Sequence, residues 1–142
     1  MSTTKVIAYV THGDRLLVFR HTEHPEAGIQ VPGGTVHEGE PLEQAVLREA
    51  HEETGLVDLQ VCAYLGLQEL DRSHWGLDGV ERRHYFHLAV AGQVPDRWLH
   101  CERDPSDGSS APIEFELYWV RFPDEVPFLS GGQGTLLKEL EI

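Results

Sequence analysis

The chain has little cysteine, little positive charge and no long apolar run. Its two cysteines, Cys62 and Cys101, lie far apart and form no Cys-x-x-Cys pair. That spacing excludes a zinc knuckle and a disulfide framework and leaves two reduced, partly buried thiols as the expectation. No apolar run reaches the roughly 18 residues of a membrane-spanning helix. Residues Met1 to Lys5 lack the apolar stretch of a secretory signal, so the expected location is the cytoplasm. Lysine and arginine number 11 against 24 aspartates and glutamates, a formal net charge of -13. Such a surface repels nucleic-acid polymers and anionic membranes. A phosphate-bearing substrate would need local cations, which bound metal ions supply.

The 142 residues, 40% of them hydrophobic, suit one domain spanning 1–142 with a single packed core. Val6 to Val10 and Leu16 to Phe19 read as strands joined by a turn at His12-Gly13-Asp14. Ile29 to Val31 reads as a short strand before Pro32-Gly33-Gly34. Pro41 to Thr54 is the strongest helix, with proline at its first position and Gly55 just past its end. Asp58 to Leu70, Arg83 to Ala91 and Glu114 to Phe122 are further strands, and Thr135 to Leu140 a C-terminal helix. Pro95 to Pro112 reads as a long polar loop containing Trp98. The pattern predicts a mixed sheet with helices packed against it.

The central helix carries an arrangement that helix propensity does not favour. Glu49, Glu52 and Glu53 fall within an arc of about 100° and share one face. Like charges four residues apart destabilise a helix by roughly 0.2–0.5 kcal/mol, and the negative end of the helix dipole adds to the cost. A solvated acidic face beside Arg48 is one reading. The other is a hard-metal site, because clustered carboxylate oxygens suit Mg²⁺. The Pro32-Gly33-Gly34 turn strengthens the second reading, since glycines allow positive φ and a close backbone approach.

Taken together, Gly34, Glu40, Arg48, Glu49, Ala50, Glu52, Glu53, Gly55 and Leu56 resemble the Nudix box, with every defined position of that signature matched. The resemblance implies an α/β fold, an α/β/α sandwich around a mixed β-sheet. It also implies hydrolysis of a nucleoside diphosphate linked to another moiety. Carried onto this chain, Glu49, Glu52 and Glu53 hold Mg²⁺, with Mn²⁺ as a substitute, and the Gly33 carbonyl is a further ligand. Arg48 orients a catalytic carboxylate, and Glu40 fixes the loop. Glu53 or Glu49 is the expected general base, with Glu102, Glu114 and Glu116 as alternatives from later in the chain.

Arg20, Arg83 and Trp98 are candidates for contact with a small-molecule nucleotide substrate, against the plainer roles of charge balance and packing. The metalloprotease pattern His-Glu-x-x-His fails because Gly55 stands at the second histidine. His84 and His87 point to opposite faces of a strand, and Asp104 to Gly108 forms only part of a calcium loop. The marks of ADP-ribose, dinucleoside polyphosphate and coenzyme A hydrolases are absent, so the substrate within the class stays open. A homodimer is compatible with the resemblance. The alternative function is a non-catalytic module that senses a nucleotide or metabolite.

Overall fold

The computed structural model describes residues 2–102 and 112–142. The described residues form a seven-stranded mixed sheet: β1 Thr3–His12, β2 Arg15–His21, β3 Gly33–Thr35, β4 Leu59–Asp71, β5 Val80–Val90, β6 Arg97–Glu102 and β7 Ile113–Arg121. Its main order is β4-β5-β1-β2-β7-β6, with β3 paired to β1. β1 runs parallel to β5, and the remaining pairs are antiparallel.

Both faces of the sheet centre are covered, which explains the unbroken apolar runs in β1 and β2. Val6, Ala8, Val10, Leu17 and Phe19 face the core shared with α1 (Leu42–Thr54). Ile7, Tyr9, Leu16 and Val18 face the opposite core, closed by Val31, Leu129 and Leu140. The α/β/α layer order is therefore present. Its second helical layer is reduced to short 3-10 turns at Ser130–Gly132 and Leu137–Glu139.

A split in the sheet positions the site. β1 and β2 pair only through Thr11–Leu16 and His12–Arg15. Beyond that, residues 29–35 enter between them. Gln30 exchanges two backbone bonds with Phe19 of β2, Pro32 accepts from Ala8 N, and Gly33 to Thr35 pair with β1. The wedge holds its backbone against both strands and turns Gly33 and Gly34 toward α1.

Several predicted elements shift. Ile29 and Gln30 make isolated bridges, and the strand is Gly33–Thr35, after Pro32, which has no N–H to donate. Pro41 lies one residue outside the helix, with ψ 143°, and Gly55 closes it at φ 77°. β5 begins at Val80 rather than Arg83. The expected loop from Pro95 contains the edge strand β6, which places Trp98 in a strand; the partial calcium loop lies outside the described residues. The expected helix over Thr135 to Leu140 is one 3-10 turn, too short to repay helix nucleation. Cys62 and Cys101 are free and exposed rather than partly buried. No described helix is long and apolar enough to cross a membrane.

Candidate metal and catalytic site

The C-terminal half of α1 faces the wedge, and Arg48 organises what lies between them. Its Nε and Nη2 donate to the two oxygens of Glu40 at 2.8 and 2.9 Å. Nη1 donates to Glu49 Oε1 at 2.8 Å, and Nη2 also reaches Thr35 O at 3.1 Å. One guanidinium thus ties the loop, β3 and the helix together, the fork geometry that arginine supplies and lysine does not. Glu40 further accepts the His37 N–H, and these bonds hold its carboxyl down to about 2.

Glu49 is 2% exposed, and its second oxygen, Oε2, is buried without a hydrogen-bond donor among the described residues. Burial raises its pKa, with Arg48 opposing. Gly34 sits directly against this carboxyl: a Cβ there would lie 2.2 Å from Glu49 Oε2. Gly33 is equally confined, since its Cβ would come 2.7 Å from the Val6 carbonyl. Neither glycine has positive φ. Close approach is the reason for both, and the expected tight turn is instead strand β3. The Gly33 N–H donates to Glu53 Oε1 at 2.6 Å.

Glu53 is buried and lies against Glu102 of β6. Its pKa stands well above the ordinary carboxylate range, because of burial first and the neighbouring Glu102 charge second. Glu49, Glu52 and Glu102 each present an oxygen within 4.8 Å of the other two. Of the three later glutamates named from sequence, Glu102 alone joins this cluster. Glu114 accepts the Thr22 hydroxyl at 2.6 Å. Glu116 is held by Arg20 at 2.7 Å and Arg97 at 3.2 Å. The alternation of Trp98, His100 and Glu102 along a strand was the available signal for Glu102's inward direction, and it is visible only once β6 is known to be a strand.

A cavity of about 200 Å³ opens beside Glu53 and Glu102, with Lys5, Arg83, Ile7 and Phe115 also on its walls. Arg83 is buried there, bonded to Glu81 and to the Gly131 carbonyl. Arg20 is engaged across β2 and β7, outside this cavity. Trp98 stands apart from it as well: its indole N–H donates to Thr54 O at 2.8 Å and its ring packs against the core beside Trp119.

Four carboxylates around one space, one of them with a buried donorless oxygen, fit a hard divalent cation. A cation can satisfy that oxygen and offset the mutual repulsion, and the all-oxygen donor set is what Mg²⁺ and Mn²⁺ take. Arg48 is already committed to Glu40 and Glu49.

Two outcomes follow. Gly34→Ala forces Glu49 out of its position, so Mn²⁺ affinity should fall at least tenfold by titration while circular dichroism still reports a folded sheet; unchanged affinity contradicts the close-approach argument. The second concerns pH. Glu49 and Glu53 have folded pKa values raised above 4.5, so the stability they contribute is full below that value and is lost as pH rises through the folded values. In chelator, Tm should decline as pH rises from 4.5 through the folded values of these two groups, and Glu53→Gln should flatten the decline. A Tm that climbs over this window in both proteins contradicts it. Glu40, with its depressed pKa, acts in the separate window between 4.5 and about 2.

The chain matches the model of the NUDIX domain over residues 1–131. It is 39% identical over 82 residues to the low-salt glycan biosynthesis protein Agl8 of Haloferax volcanii, covering 58% of this chain and 51% of that protein. It is 32% identical to the NAD-capped RNA hydrolase NudC of Stutzerimonas stutzeri, covering 82% of this chain and 44% of that protein. The chain thus spans about half the length of the curated relatives it matches. Among solved structures, a MutT Nudix hydrolase from Burkholderia pseudomallei superposes with a TM-score of 0.69 over 99% of both chains at 21% identity. A UDP-X diphosphatase superposes with a TM-score of 0.64 at 19% identity, over 98% of this chain and 62% of that one. At these identities the structural matches speak to the fold, and the family match over most of the sequence carries the assignment: the chain belongs to the Nudix hydrolase family.

Proposed function

We propose that this protein is a Mg²⁺-dependent hydrolase of the diphosphate bond in a nucleoside diphosphate linked to another moiety, with Mn²⁺ able to replace Mg²⁺. The observation that carries the reading is the cluster of Glu49, Glu52 and Glu102, with the donorless buried oxygen of Glu49, next to a cavity lined by Glu53, Glu102, Lys5 and Arg83. The name of a similar protein, an NAD-capped RNA hydrolase, supports hydrolysis of a nucleotide conjugate. The excess of 24 acidic over 11 basic residues supports a small substrate over a polyanion.

In this reading Glu49, Glu52 and Glu102 hold the cation. When bound, it offsets the charge of the diphosphate and acidifies water. Arg48 keeps Glu49 turned into the site by occupying one of its oxygens. Glu53 is the general base: the Gly33 N–H fixes one oxygen, and burial raises its proton affinity above that of an ordinary carboxylate. Arg83, held between Glu81 and the Gly131 carbonyl, lines the same cavity and would meet the substrate there.

The test is an assay of the purified protein against nucleoside triphosphates, NADH, ADP-ribose, UDP-sugars, coenzyme A and dinucleoside polyphosphates, with Mg²⁺, Mn²⁺ or chelator. Turnover should require the metal, and Glu53→Gln should lower kcat by about 10²–10⁴. Turnover in chelator, or near-normal kcat in Glu53→Gln, contradicts the mechanism. Binding without turnover in the wild-type protein supports the sensing module instead.

A further inference from the structure

β6 is an edge strand whose alternate residues point the same way. Arg97, Leu99 and Cys101 face solvent, while Trp98, His100 and Glu102 are progressively covered. All three meet the C-terminal end of α1. Trp98 Nε1 donates to Thr54 O at 2.8 Å, and His100 Nε2 bonds Glu52 O at 2.8 Å. Glu102 then joins Glu49 and Glu52. A carbonyl only accepts, so the proton of His100 sits on Nε2. The other side of its ring lies over Gly55, where a Cβ would come 3.0 Å from Nδ1. The glycine after the helix is thus confined twice, by φ 77° and by the histidine above it.

The last carbonyls of a helix lack partners within it. β6 supplies two donors to them, and the strand that satisfies the helix end also delivers a fourth carboxylate to the acidic face. That delivery brings Glu102 against the charges of Glu49 and Glu52 and into a hydrogen bond with Glu53. On its other side β6 pairs with β7, Glu102 opposite Ile113 and His100 opposite Phe115. Together with the hydrogen bond between Glu102 and Glu53, the two bonds to α1 carbonyls tie the strand to the helix rather than to its sheet neighbour alone.

We propose that His100, with Trp98, is a positioning residue for the cation site: its bond to the Glu52 carbonyl locks β6 onto α1 and sets Glu102 at its distance from Glu49 and Glu52. This role rests on the reading of the cluster as a divalent-cation site. A residue that only stabilised the fold would change the melting temperature without caring whether Glu102 is a carboxylate. A positioning residue acts through that carboxylate.

The experiment is a double-mutant cycle on Mn²⁺ affinity, read from the electron paramagnetic resonance of free Mn²⁺, with no substrate present. H100A should weaken Mn²⁺ binding about tenfold, as expected when an orienting partner is lost. E102Q should also weaken it, and H100A/E102Q should bind no more weakly than E102Q. H100Q, which keeps an N–H donor, should recover most of the affinity. W98F, which keeps the ring and removes the other donor, should weaken binding in the same Glu102-dependent way, and it carries the test if H100A does not fold. Losses from H100A and E102Q that multiply, or unchanged affinity in both H100A and W98F while E102Q is impaired, overturn the positioning role and leave the cation site standing. Unchanged affinity in E102Q itself overturns Glu102 as a ligand, and the role built on it.

Discussion

Four glutamates meeting around one space repel one another, and most of the local structure can be understood as what holds them there. Glu49, Glu53 and Glu102 are buried, where charge repulsion is screened least. Against it stand one guanidinium, one backbone N–H and two bonds from an edge strand. Arg48 can serve Glu49 because Glu40 takes the other side of its fork and gives up its own freedom in doing so. Glu53 resolves its share of the repulsion through a raised proton affinity. A divalent cation is the component that would balance the rest.

The sheet makes this arrangement rigid. Its two central strands are sealed on both faces, so the wedge of residues 29–35 enters a scaffold with little room to yield. Gly33 and Gly34 then bring backbone to within contact of Val6 and Glu49, where any side chain would collide. The same wedge keeps β1 and β2 apart and leaves the cavity beside the carboxylates. Placement of charge and placement of the cavity are therefore one structural event.

The helix, the sheet centre and the box glutamates were legible in the sequence because each rests on local pattern: apolar runs, a proline and glycine bracketing a helix, and like charges at helical spacing. What escaped depends on partners distant in the chain. Gly33-Gly34 looked like a turn, because two glycines advertise freedom of φ, yet the structure uses their missing side chains. β6 escaped because Arg97 to Glu102 lacks an apolar alternation; its inward positions are Trp98, His100 and Glu102, two of which are polar or charged and face a helix end. With the strand unseen, Glu102 could be named only as one of three late glutamates. Trp98, expected in a loop, lies in this strand, and its indole N–H donates to a helix carbonyl. The C-terminal helix was overread from a short apolar stretch whose neighbours Gly131 and Gly132 adopt left-handed backbone.

The central claim is that the carboxylate cluster is a divalent-cation site, and anomalous diffraction from crystals grown with Mn²⁺ tests it most directly. A strong anomalous peak enclosed by the carboxylates of Glu49, Glu52 and Glu102, with Glu49 Oε2 among its ligands, is the expected result. Crystals of an enzyme active with Mn²⁺ that show no peak there, or a peak bound only by other residues, would contradict it.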